Sequence, residues 1–135
     1  MTAASMVNTD GEMAVLAAML CERRVIDDLT DMLDPDDFSV GFFGHVFGLV
    51  TREHAAGRTV NPVTIKPQLE GFDDFAQLGG MTWLAGLTSS PLPILAAKGT
   101  ARHIKELAER RRLVAGLTEA IEAANDPEQI GRAHV

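Results

Sequence analysis

The sequence has no long apolar run and no early basic residue. Its longest uninterrupted apolar stretch, Met13–Cys21, covers nine residues, about half of the roughly 18 that a membrane-spanning helix needs. A secretory signal begins with basic residues, yet the first Lys or Arg is Arg23. These absences argue against a membrane span and a secretory leader, and they predict a cytoplasmic protein without a membrane partner.

Cysteine and nucleotide-binding motifs are also scarce. Cys21 is the one cysteine, so no internal disulfide forms, and its apolar helical surroundings predict a buried thiol without chemistry. Lys98-Gly99-Thr100 lacks the preceding glycine-rich loop of a phosphate-binding motif. The four histidines have no Cys or carboxylate at metal-ligand spacing. We therefore predict no catalytic, metal or cofactor site, and no enzyme activity, for this chain by itself.

No segment alternates apolar and polar residues over the length of a strand. A chain of 135 residues has room for one domain, and a 46% hydrophobic composition is sufficient to bury a core. We expect an all-α fold of about six or seven helices, with a compact multi-helix head followed by a long helix.

The net charge of −7 is unevenly distributed along the chain. Residues 1–99 carry six basic and thirteen acidic side chains, whereas residues 100–135 carry six of each. An acidic body repels phosphate, so direct, tight nucleic-acid binding is not expected. Protein partners are expected instead.

Two cap patterns predict helix starts. Thr9-Asp10-Gly11-Glu12 matches a capping box, in which Thr9 accepts from the backbone N–H of Glu12 and the Glu12 carboxylate reaches back. Asn61-Pro62 supplies a cap and a first-turn proline for a helix that Pro67 should shorten or kink.

The acidic run Asp34-Pro35-Asp36-Asp37 predicts a further helix start. Asp34 is the cap, Pro35 suits the first turn, and the next two carboxylates face the positive end of the helix dipole. This capping explanation needs no bound cation.

Apolar spacing predicts the buried helices. Phe43, Val46, Phe47 and Val50 follow the i, i+3, i+4, i+7 pattern of a central helix over about residues 42–56. Gly79-Gly80 should break the chain before a short helix around Trp83, a core aromatic whose indole N–H is expected near the surface.

A long helix is predicted over about residues 94–124. Its apolar stripe is narrow, and about 30 residues at 1.5 Å each give about 45 Å, longer than the head. We expect part of this helix to project and to need a partner. The candidate oligomer and partner interface is the set Leu107, Arg110, Arg111, Val114, Leu117 and Ile121.

The basic run Arg110-Arg111-Arg112 allows two interpretations. In one it is a solvated helix face that pairs with Glu106 and Glu109. In the other it is a recognition patch for an acidic partner.

Several of these segments, in this order and spacing, resemble the N-terminal domain of the DnaB-type replicative DNA helicase family, in a form similar to alphaproteobacterial members. The matching segments are Glu12-Met13-Ala14-Val15-Leu16, Asp34-Pro35-Asp36-Asp37-Phe38, His45-Val46-Phe47, Asn61-Pro62-Val63-Thr64-Ile65, Gly79-Gly80-Met81-Thr82-Trp83-Leu84 and Leu107-Ala108-Glu109-Arg110-Arg111-Arg112-Leu113-Val114.

The resemblance implies a helical head followed by a helical hairpin, with paired hairpins building a hexameric ring. It also implies a collar that docks primase and a helicase loader within the nucleoid-associated replication machinery. ATP and magnesium are expected only in a motor domain that this chain lacks. The rival hypothesis is a stand-alone helical adaptor that regulates helicase loading without a motor.

The expected organisation has four parts. Residues 1–10 form a flexible N-terminal segment, 11–100 the head, 101–125 the first hairpin arm, and 126–135 a truncated start of the second arm. Two departures from the family pattern are Thr100, where an aromatic residue is common, and the end of the chain soon after Gly131. Residues 130–135 read like a translated sequencing adapter, so an artefactual tail is expected.

Overall fold

A computed structural model describes residues 6–128. Seven α-helices and one 3-10 turn lie wholly within this part of the chain, and no strand occurs in it. The all-α prediction is confirmed. The elements are α1 (Thr9–Cys21), α2 (Arg23–Met32), the 3-10 turn (Pro35–Asp37), α3 (Gly41–Ala55), α4 (Pro62–Leu69), α5 (Asp73–Leu78), α6 (Met81–Leu87) and α7 (Ile94–Ala124).

The cap predicted before α4 is present. Asn61 Oδ1 accepts from the backbone N–H of Thr64 at 2.9 Å, and Thr64 Oγ1 accepts from the N–H of Asn61 at 2.9 Å. Pro62 occupies the first turn, and α4, which contains Pro67, is eight residues long. The sequence thus predicted both the start of this helix and its shortness.

The capping box predicted at the start of α1 is wrong. The cap is Asn8, whose Oδ1 accepts from the N–H of Gly11 at 2.8 Å, and Thr9 is already helical. The Glu12 carboxylate does not reach back, because it is buried against the segment before α3. The predicted flexible segment 1–10 also differs from the structure where residues are described, since Met6 is buried and α1 begins at Thr9.

Helix α3 is the central helix, as its apolar spacing predicted. It runs from Gly41 to Ala55, and Phe47 is only 1% exposed. The ring of Phe38, just after the 3-10 turn, packs on Phe47 with a centroid distance of 5.1 Å. This close approach requires a glycine in α3, because a Cβ at Gly44 would collide with the carbonyl oxygen of Pro35.

Two single-residue predictions are wrong. Cys21 is exposed: it is the last residue of α1, and its Sγ lies 3.6 Å from the carbonyl oxygen of Thr88. Trp83 is half-buried and stacks on Phe43 with ring centroids 6.1 Å apart, but its indole N–H is buried, with no hydrogen-bond partner within residues 6–128. The indole was expected to place that group at the surface.

The break between α5 and α6 is confirmed. Gly79 and Gly80 have φ angles of 118° and 60°, which favour glycine. Helix α5 itself was not predicted, because six residues are too few for a clear period. Within residues 6–128, no helix combines the length and the apolar character that crossing a bilayer requires.

Candidate functional site

Helix α7 has a buried first half and an exposed second half. Ala97, Ala101, Ile104, Leu107 and Ala108 are buried, and α1 and α2 pack along this half. Leu107 is 4% exposed, so the prediction that its side chain is exposed to solvent is wrong. The head covers one more turn of the helix than the sequence indicated. The predicted head boundary after residue 100 lies inside α7.

Beyond Arg112 the helix presents large apolar side chains to solvent. Leu113, Val114, Leu117 and Ile121 are 64%, 43%, 56% and 62% exposed, and steps of three and four residues place them on one side. We call these four residues the distal face. The solvent exposure predicted for Val114, Leu117 and Ile121 is confirmed. Leu113 was missed, although it lies four residues before Leu117.

A buried carboxylate holds the middle of α7 on the head. Asp37, at the end of the 3-10 turn, is 0% exposed and accepts from Lys105 Nζ at 2.9 Å and Arg112 Nη2 at 2.6 Å. The backbone N–H of Asp34 donates to the same carboxylate at 2.8 Å. Two cations of α7 therefore share one anion of the head.

Arg111 makes a second attachment through its forked guanidinium. Nη1 donates to the carbonyl oxygen of Met6 at 2.6 Å, and Nη2 donates to the carbonyl oxygen of Asp37 at 2.8 Å. One side chain thus joins α7 to the 3-10 turn and to the segment before α1. We call Asp37, Lys105, Arg111 and Arg112 the root cluster.

Two arginines of the basic run bind the head, so the interpretation as a solvated face does not describe them, and the recognition patch stays a prediction. Within residues 6–128, Arg111 and Arg112 bind the head and do not pair with Glu106 or Glu109. Arg110 is exposed and has no polar partner in that part of the chain. Arg110 is therefore the predicted interface cation that stays available to a partner.

Contacts within the root cluster shift the pKa of Asp37 and of Lys105. Burial alone would raise the pKa of Asp37, but hydrogen bonds from Asp34, Lys105 and Arg112 outweigh it and hold the pKa below its usual value. The hydrogen bond to Asp37 raises the pKa of Lys105. Both groups are charged at neutral pH, so the ion pairs persist under physiological conditions.

The turn after α7 follows its predicted pattern. Asp126 Oδ1 accepts from the backbone N–H of Glu128 at 3.0 Å, and Pro127 is the first residue after that cap. The rest of the predicted second arm, which includes the suspected artefact at residues 130–135, lies outside the described residues.

This arrangement can bind and orient a partner. It combines the exposed apolar distal face with the ion pairs of the root cluster. In the described part of the chain, no three His, Cys, Asp or Glu side chains are grouped to hold a metal ion. The root cluster fixes the direction of α7, and that direction determines where the distal face points.

A family model for the DnaB-like helicase N-terminal domain matches residues 5–106. The chain belongs to this family. The match ends inside α7, before the distal face. It covers both partners of the first ion pair, Asp37 and Lys105.

Relatives with this domain are much longer proteins. The replicative DNA helicase DnaB of Rhodothermus marinus is 29% identical over 118 residues, which is 86% of this chain and 12% of that protein. Its counterpart in Geobacillus stearothermophilus is 25% identical over 105 residues, 78% of this chain and 23% of that protein. The chain therefore spans less than a quarter of either relative.

A solved structure resembles the whole fold. The crystal structure of the N-terminal domain of DnaB helicase from Mycobacterium tuberculosis superimposes with a TM-score of 0.81 at 26% identity. The match covers 95% of this chain and 94% of that one. It extends beyond the region matched by the family model and includes most of α7.

Proposed function

We propose that this chain is the assembly module of a replicative DNA helicase, and that copies associate through the distal face of α7. The observation that carries the proposal is the exposure of four large apolar side chains on a helix mounted rigidly on the head. Apolar surface gathered on one side of an element is typical of a protein interface.

The attachment of α7 to the head by the root cluster supports ordered assembly of copies rather than non-specific hydrophobic association. Because Asp37, Lys105 and Arg112 fix α7 on the head, two copies that meet through their distal faces meet at one angle. A fixed angle is what a closed ring requires of its repeated contacts. The family membership and the helicase relatives support a ring as the assembled form.

Cross-linking in solution tests this proposal. In a Cys21→Ser background, Leu117→Cys places a thiol on the distal face, and Ala115→Cys places one on the opposite side of the same exposed turn. A bis-maleimide should give a covalent dimer with Leu117→Cys and little with Ala115→Cys. Equal yields at the two positions would contradict assembly through the distal face.

We propose further that the assembled collar docks primase or a helicase loader, with Arg110 contributing to an acidic partner. The exposed Arg110 guanidinium lies one turn before Val114, so a partner on the distal face would meet both. Titration of a fluorescently labelled primase helicase-binding region should show weaker binding to Arg110→Glu than to Arg102→Glu, which changes another exposed arginine of α7. Identical affinities would exclude a role for Arg110.

We propose that the chain alone neither hydrolyses ATP nor binds single-stranded DNA tightly. The sequence has no phosphate-loop motif, and its head carries more than twice as many acidic as basic side chains. Submicromolar binding of a single-stranded oligonucleotide at physiological salt would overturn this part of the proposal.

A further inference from the structure

A small cavity lies where the start of α2 meets the end of α3. Its volume is about 100 Å³, and it is lined by Arg23, His54, Gly57, Arg58, Thr59 and Val60. A water molecule occupies about 30 Å³ in the liquid, so this space holds about three waters or one small tetrahedral ion. No acidic side chain lines it.

Most basic side chains of the head lie close in sequence to the residues that line this cavity. Residues 1–99 contain six basic side chains against thirteen acidic ones. Four of the six basic residues lie in the two chain segments that form the cavity. Arg23 and Arg24 are at the start of α2, and Arg52 and Arg58 are around the end of α3. Two of these four, Arg23 and Arg58, line the cavity.

The lining side chains are held by neighbours outside the cavity. Arg58 is oriented by an ion pair between its Nε and the Glu53 carboxylate, which also accepts from Gln68 at 3.0 Å. His54 Nε2 lies 3.1 Å from Asp27 Oδ1. These contacts orient Arg58 and His54 before any ligand arrives.

Donor groups on the cavity wall remain unused. Within residues 6–128, Arg23 makes no hydrogen bond or ion pair, and Arg58 engages only its Nε, which leaves both terminal nitrogens. The Thr59 hydroxyl likewise has no partner there. Two guanidinium groups and a hydroxyl around a small cavity match the several oxygens of a tetrahedral oxyanion, and Arg is the usual residue for that recognition.

We propose that this corner binds one phosphate group, either the free ion or the terminal phosphate of a nucleotide. Arg23 and Arg58 each donate to the phosphate oxygens, and the Thr59 hydroxyl adds a third contact. Gly57 keeps the turn open with a φ of 76°, and a Cβ there would be strained. The site is far smaller than a DNA-binding surface and differs from the distal face of α7.

Calorimetric titration at constant ionic strength tests the proposal, with inorganic phosphate as the probe. The variants are Arg23→Ala and Arg58→Ala, and the matched control is Arg24→Ala. Arg24 carries the same charge next in sequence, but its side chain is 80% exposed, pairs with Glu22 and does not line the cavity. Circular dichroism checks that each variant folds.

The parent should bind phosphate saturably below about 10 mM. Each cavity variant should weaken that binding about tenfold, the size of one charge-assisted hydrogen bond, while Arg24→Ala changes it less than about twofold. Thymidine 5′-monophosphate, with thymidine as its blank, distinguishes a nucleotide phosphate from the free ion. Absence of saturation in the parent, or equal weakening in Arg24→Ala, would overturn the proposal.

Amide chemical shifts give an independent measurement. Phosphate should shift the backbone amides of Arg23 and of residues 54–60 together, with one common binding constant. Small shifts scattered over every basic residue would indicate general screening of charge and would also overturn the proposal.

Discussion

Arg112 Nη2 donates to Asp37 Oδ1 at 2.6 Å, across 75 residues of sequence. The contact joins the middle of α7 to the 3-10 turn that packs on α3. Lys105 binds the other oxygen of the same carboxylate at 2.9 Å. Because the anion is buried and both of its cationic partners come from α7, Asp37 determines how α7 leaves the head.

Asp37→Asn should lower the free energy of unfolding by about 1 to 3 kcal/mol, because two cations lose their buried anion. The loss stays below that of a fully buried pair, since Lys105 and Arg112 can turn toward water. Asp36→Asn is the matched control, as Asp36 is exposed beside it. Urea unfolding followed by circular dichroism measures both, and equal effects would refute the anchoring role of Asp37.

Acid should weaken this anchor. Because the pKa of folded Asp37 lies below the unfolded value of about 3.9, its carboxylate stabilises the fold above that pH. The stabilisation is lost as the pH falls below about 4 and through the folded pKa. The unfolding free energies of the parent and Asp37→Asn should therefore converge at acidic pH. A difference that stays constant down to the lowest pH would contradict the ion-pair account.

Glu12 is the other buried carboxylate of the head. It accepts from the Ser39 hydroxyl at 2.6 Å and from the backbone N–H groups of Ser39 and Val40 at 3.1 and 3.3 Å. A side chain of α1 therefore satisfies donors at the start of α3, where no local side-chain cap is present.

Glu12→Ala should lower the free energy of unfolding by about 2 kcal/mol, because three partly buried donors lose their acceptor. Asp10→Ala, an exposed acidic residue of the same first turn, should change it by less than about 0.5 kcal/mol. Thermal and urea unfolding of both variants provide the comparison. Equal free energies of unfolding for the two variants would show that the contact of Glu12 with Ser39 and Val40 contributes nothing measurable to stability.

Phe47→Ala should cost about 3 to 5 kcal/mol, because the ring is buried at the centre of α3 and its removal leaves a cavity. Val63→Ala, at a 71% exposed position, is the control and should change stability by less than about 0.5 kcal/mol. A melting shift of only a degree or two for Phe47→Ala would contradict the central place of α3.

Local signals predicted the elements of this fold well. The Asn61-Pro62 cap, the Gly79-Gly80 break and the extent of α7 each depend on residues within a turn or two of one another. The period of Phe43, Val46 and Phe47 identified the central helix for the same reason, since every partner in that pattern is close in sequence.

Long-range contacts were not predictable from one sequence. Thr9 and Glu12 satisfy a capping-box pattern, but Glu12 binds Ser39, 27 residues away, where burial favours its three hydrogen bonds. Asp37 was expected to face a helix dipole, yet it pairs with Lys105 and Arg112. Nothing in the local pattern shows that the head extends far enough along α7 to cover Leu107 and engage Arg111.

Sedimentation tests most directly whether the distal face of α7 is an interface between copies. The parent, Leu117→Asp and Ala115→Asp are compared over an about hundredfold range of concentration. Both variants add one carboxylate to the exposed half of α7, but only Leu117 lies on the distal face. A charge there is harmless in a monomer and costly in a desolvated pair. The parent and Ala115→Asp should associate as concentration rises, while Leu117→Asp stays a folded monomer. Three identical monomers throughout, or loss of the folded head in Leu117→Asp, would contradict the account.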